Sequence, residues 1–100
     1  MSFTFSQSDI YIDNPVAANQ DFKINYQVTN DGPDDPGHYD HVQIWGSNGT
    51  ILDEYENAPA TIAGGLYGVI VDVPALEPGY YDVAITLDDG TAAGSTIIVQ

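Results

Sequence analysis

A chain of 100 residues with 15 Asp and Glu against one Lys and no Arg carries a formal net charge of −14. Such a surface repels phosphate backbones and anionic headgroups, which argues against nucleic acid as a partner and disfavours an anionic membrane surface. Cysteine is absent, so disulfide and thiol chemistry are excluded, and no run approaches the ~20 apolar residues of a membrane-spanning helix.

The elements follow in chain order. Phe3 and Phe5 alternate in SFTF, and SQS then shifts the phase, which predicts a bend or bulge. Ile10 and Ile12 mark a strand over 9–12. NPVAANQ separates it from DFKINYQV, where Phe22, Ile24, Tyr26 and Val28 share one face and Lys23, Asn25, Gln27 and Thr29 the other. That alternation predicts a half-buried strand over 21–29. DGPDDPG is a turn. A third strand, 39–46, places Val42 and Ile44 inward and His41, Gln43 and Trp45 outward. Asn48-Gly49 predicts a tight hairpin with φ > 0 at both central residues. ILDEYENAPATIA has no clean period and reads as a short edge strand, 51–55, followed by a loop or one helical turn. Strands over 66–73, 80–87 and 93–99 complete the chain, separated by PALEPG and DDG.

About seven short strands with frequent turns predict an all-β fold, an immunoglobulin-like antiparallel β-sandwich, with a small barrel as the competing arrangement. The chain reads as one domain, 1–100, large enough for a single core. Tyr81 follows Pro78-Gly79 and is in phase with the buried face. It is therefore the candidate for a tyrosine corner, in which the hydroxyl bonds back to the preceding turn.

DIYIDNPVAANQDFKINYQVTNDG resembles the opening of CARDB modules, cell-adhesion-related domains of bacterial surface proteins. The shared features are an Asp-apolar-x-apolar strand, a Pro-containing turn, and an alternating strand ending Val28-Thr29-Asn30-Asp31-Gly32. Pro78-Gly79-Tyr80-Tyr81 resembles their Pro-Gly-x-Tyr strand opening; fibronectin-III-like sandwiches share such patterns too. The closing GTAAGSTIIVQ departs from the acidic, Asn-rich ending common in those modules. The resemblance implies a non-catalytic adhesion, binding or spacer module, extracellular or at the cell surface as part of a larger secreted protein. Residues 1–12 lack a basic start and an apolar centre, so no signal peptide is expected within this chain.

The candidate chemistry is concentrated in DGPDDPGHYDH, residues 31–41. In an immunoglobulin-like topology the loop after the second strand and the loop before the last emerge at one pole. Asp31, Asp34, Asp35 and Asp40 are thus expected near Asp88 and Asp89. Clustered carboxylates repel, and Ca²⁺, which takes 6–8 oxygens, would relieve them. The spacing is not that of an EF-hand, so a basic partner surface and a plain solvated loop stay open. His38 and His41 fall on opposite faces if the strand begins early, which disfavours Zn²⁺. Tyr39, His41 and Trp45 form a candidate partner-binding face for a protein or a glycan. Asp53, Glu54 and Glu56 alternate in direction with no apolar pocket beside them, and no triad or phosphate loop is present, so no enzyme is expected. The uncharged TAAGSTIIVQ and the 51–55 edge, with Phe3 and Phe5, are candidates for homo-oligomer contacts.

Overall fold

Two antiparallel sheets face each other in the computed structural model, which describes residues 2–100. The strands are β1 (Phe3–Thr4), β2 (Ile10–Tyr11), β3 (Phe22–Asn30), β4 (His38–Gly46), β5 (Gly49–Ala58), β6 (Leu66–Val73), β7 (Gly79–Thr86) and β8 (Ala92–Val99). In the first sheet β6 pairs along one side of β3, and β1 and β2 pair in succession along the other. The second sheet has the order β5-β4-β7-β8. This is the expected immunoglobulin-like sandwich, with the first edge strand divided in two.

Alternation explains the layers. Ile24, Tyr26 and Val28 of β3 and Val71 and Val73 of β6 point into the sandwich. They meet Val42, Ile44, Ile85 and Ile97 of the other sheet, all fully sealed. Each such side chain contributes about 1.5–3 kcal/mol of transfer free energy. The division of the edge strand comes from SQS: Gln7–Asp9 form a 3-10 turn, and the Asp9 carboxylate accepts the Ser6 N–H at 2.9 Å. The turn lets Phe3, Phe5 and Ile10 all reach the core. Phe3 and Phe5 are therefore internal, which corrects their expected role in oligomer contacts.

Three local expectations also change. β5 is not a short strand over 51–55 but runs ten residues, paired with β4 as far as His38↔Ala58. It borders solvent on most of both faces, so its sequence shows no period. The hairpin loop is Ser47–Asn48 between paired Gly46 and Gly49, and φ is +117° at Gly49 rather than positive at Asn48. Glycine adopts that backbone without a Cβ penalty. Finally, the C-terminal half of the β8 edge is covered. Val16 donates to the Ile98 carbonyl (2.7 Å) and accepts from the Gln100 N–H (3.0 Å). The Asn14 side chain accepts the Ile98 N–H and donates to the Thr96 carbonyl, both at 2.9 Å. Only the first half of β8 keeps an open edge.

The expected tyrosine corner is present: the Tyr81 hydroxyl donates to the Glu77 carbonyl at 2.7 Å.

Candidate functional site

Residues 31–41 separate into a surface and an interior. Asp31 and Asp34 are exposed, and Asp34 Oδ1 accepts the Ala63 N–H at 2.9 Å. Asp35 turns inward: its main chain pairs with Thr61 in both directions, at 2.8 and 3.0 Å, and its side chain is buried. Asp40 is completely sealed. The expectation that Asp35 and Asp40 belong to a solvated acidic pole is thus corrected. His38, Asp40, Val42 and Ile44 share one phase of β4, and that phase is the core.

The two buried carboxylates are held by a network from four elements. Asp35 Oδ2 lies 2.7 Å from His38 Nδ1. Asp40 Oδ2 accepts the hydroxyls of Tyr26 on β3 (2.8 Å) and Tyr67 on β6 (2.9 Å). His38 Nε2 is aligned with the Tyr67 hydroxyl at 3.0 Å. Asp40 Oδ1 is also close to His38 Nε2, at 2.8 Å, but that contact is off the ring N–H direction, so Oδ1 has no aligned donor. A ring with one proton can donate to only one of its partners, whereas an imidazolium can donate from both nitrogens. Phe3 closes the network from above, its ring 4.7 Å from that of His38.

Burial raises the Asp40 carboxyl above its ordinary range, against the lowering effect of the Tyr26, Tyr67 and His38 donors. Burial, then the Asp40 charge, pushes the Tyr26 and Tyr67 hydroxyls far up, so both stay protonated donors. The period-2 phase points Tyr26 inward, but Asp40 is expected at the acidic pole although it has the parity of Val42 and Ile44. The side chains of the network are buried, while His38 also borders a surface hollow with Pro36, Gly37 and Tyr39.

The outer pole does bring the two loops together. Asp88 borders the same hollow as Pro36, Gly37 and Tyr39. Asp89 accepts the N–H groups of Phe3 (3.0 Å) and Thr91 (2.9 Å). Partial burial opposes the shift, yet these donors hold the Asp89 carboxyl below its usual range. Asp31, Asp34, Asp88 and Asp89 do not join Asp35 and Asp40 in one coordination sphere. Among the described residues no group of three or more His, Cys, Asp or Glu is arranged to hold a metal ion.

The outer face of β4 carries Tyr39, His41, Gln43 and Trp45 in sequence-predicted phase. His41 and Tyr55 stack with ring centres 4.4 Å apart and planes within 8°. His41 Nε2 meets Asp53 Oδ1 at 2.5 Å, and that bond holds the Asp53 carboxyl low. Tyr39 and Tyr55 are 61% and 64% exposed. Trp45 is half-buried, opposite Thr50 and Asp82. Tyr55 was not legible as a site residue, because its strand lacked a readable period.

These features define an immunoglobulin-like sandwich with a buried polar network and an aromatic outer face. The fold is CARDB-like. The chain superposes on the CARDB domain of the PF1109 protein from Pyrococcus furiosus, solved in complex with di-metal ions, with a TM-score of 0.67. That match covers 98% of this chain and 92% of the other at 13% identity, a likeness of fold. No protein-family model and no curated protein sequence matches the chain.

Proposed function

We propose that the chain is a non-catalytic interaction module, displayed outside the cell or at its surface, that meets its partner through the outer face of β4 and β5. The observation that carries this reading is the row Tyr39, His41–Tyr55 and Trp45, exposed or half-exposed on one flat face. Tyr39 and Tyr55 lie mostly in solvent and outside the core, and aromatic anchors are enriched where surfaces are bound. The CARDB-like fold supports a module rather than an enzyme. The di-metal ions of the Pyrococcus furiosus domain are not carried over, because among the described residues no group of three or more His, Cys, Asp or Glu is arranged to hold a metal ion. A second reading, a glycan platform, is favoured by the coplanar His41–Tyr55 stack with the Asp53 acceptor beside it.

Trp45, the one Trp of the chain, reports on this face directly. Its emission is followed while soluble oligosaccharides and a Lys-rich peptide are titrated in. A response that disappears in Tyr39→Ala/Tyr55→Ala supports the reading. A response that survives that variant, or silence with every probe, sinks it.

A further inference from the structure

Four strand edges bound the two sheets, and three are obstructed. The β8 edge is half covered by Asn14 and Val16. The β1–β2 edge is two short strands broken by a 3-10 turn. The β5 edge carries Asp53, Glu54 and Glu56. β6 is different: it has eight residues, and its one charge, Asp72, is paired with Lys23 on the outer face. The Asn30 N–H bonds the Gly65 carbonyl, so alternation directs the main-chain groups of Leu66, Gly68, Ile70 and Asp72 away from β3. No strand among the described residues pairs with them. Leu66 and Ile70 are 59% and 62% exposed beside this edge.

The flank next to the edge is acidic. Glu54 and Glu56 lie opposite Val42 and Asp40 in the β4–β5 register, so they project from the inner side of β5 toward the open mouth of the sandwich. Partial burial, then the neighbouring Glu54 carboxylate, raises the Glu56 carboxyl, and Asp72 of β6 adds to this. A like-charge pair therefore stands within electrostatic reach of an unpaired strand. The one Lys of the chain is engaged with Asp72 and does not relieve it.

We propose that the free edge of β6 accepts an extended basic segment of a partner protein as an added strand. Its main chain pairs with Leu66–Asp72. Its alternate Lys or Arg side chains reach Glu54 and Glu56, and the intervening apolar side chains lie beside Leu66 and Ile70. The two-residue period of a strand sends these two sets to opposite faces, as strand addition requires. A second copy is the poorer occupant: β6 has no basic residue, and two copies would bring four glutamates together. This surface is separate from the Tyr39–Trp45 face and stands without it.

The probe is a peptide alternating Lys and Val, of the length of β6, titrated into the uniformly ¹⁵N-labelled chain. Its control carries N-methyl groups on alternate amides of one edge, which removes ladder hydrogen bonds but keeps the charge. The expected result is slowed exchange at the amides of Leu66, Gly68, Ile70 and Asp72, with affinity that falls as salt rises. Glu54→Gln/Glu56→Gln should weaken binding about three- to tenfold. Equal binding by peptides methylated on either edge, shifts confined to other strands, or no binding overturns the proposal. So does peptide-free protection that grows with protein concentration, which would assign the edge to a second copy.

Discussion

His38 Nδ1 lies 2.7 Å from Asp35 Oδ2, and both side chains are almost fully withdrawn from solvent, at 2% and 3% exposure. The same ring reaches Tyr67 and Asp40 with its other nitrogen, so it joins the loop before β4 to β4 itself and to β6. Removing the ring leaves the buried Asp35 carboxylate without its partner and takes the His38 ring away from Tyr67 and Asp40. His38→Leu should therefore cost about 3–5 kcal/mol in urea denaturation. Adding Asp40→Asn should recover part of that loss, because a buried charge is removed. If His38→Leu changes stability by less than 1 kcal/mol (about the worth of one hydrogen bond), the network is not a structural element.

Stability should rise as pH falls through the raised folded-state values of Asp40 and Glu56. Asp40 and Glu56 have raised folded-state pKa values, so the fold binds their protons more tightly than the unfolded chain does. Their contribution is complete below the unfolded value, ~4, and is lost as pH rises through the folded values. Asp89 works in the opposite sense: its lowered value contributes above ~4 and is lost as pH falls through the folded value. The melting temperature should thus pass through a maximum in mildly acidic buffer, and Asp40→Asn should flatten its neutral side. A melting temperature that climbs steadily from acid to pH 8 would contradict this.

Ca²⁺ should stabilise the chain no more than other salts. With −14 charges, added ions screen repulsion, and no carboxylate cluster offers a coordination sphere among the described residues. Melting temperatures in about 5 mM CaCl₂ should equal those in MgCl₂ and NaCl of matched ionic strength. A rise specific to Ca²⁺ and abolished by Asp34→Asn would restore the acidic pole as a cation site.

Asn14 clips one edge of the sandwich through both ends of its amide. Asn14→Ala should cost about 1–2 kcal/mol and speed hydrogen exchange at Ile98, leaving exchange at the β3 amides unchanged apart from the global loss. Because the exposed β8 edge carries no charge, the variant should also aggregate sooner on heating. An unchanged Ile98 amide would mean that Val16 alone holds this edge.

Tyr81→Phe removes the hydroxyl that bonds the Glu77 carbonyl. The ring stays packed at the core margin, so the expected loss is the hydrogen bond, about 1 kcal/mol, seen as a lower urea midpoint at unchanged slope. A change of slope would point to a wider rearrangement of the β6–β7 connection.

Much of the fold was legible because alternation is a local property. The phases of β3, β6, β7 and β8 follow from apolar residues two apart, and Tyr81 was legible from its place after Pro78-Gly79. β5 was legible only in part, since an edge strand with solvent on both sides has no need to alternate. Asp40 shows the opposite difficulty. It has the parity of Val42 and Ile44, but a run rich in Asp, Pro and Gly reads as a loop, Asp40 with it, until donors are found for the carboxylate. Those donors, Tyr26 and Tyr67, are 14 and 27 residues away.

The sequence by itself determined an acidic all-β chain without thiol chemistry, a sandwich or a small barrel, with an outward face bearing Tyr39, His41 and Trp45. Composition and period are sufficient for that, because they report which side chains can share a pleated, half-buried surface. Only the tertiary structure decided which acids are solvated, which edge of which strand is covered, and which aromatic joins His41. Those depend on pairings between distant segments, such as His41 with Tyr55 and Val16 with Val99. No local pattern specifies the partner across such a gap; register and packing do.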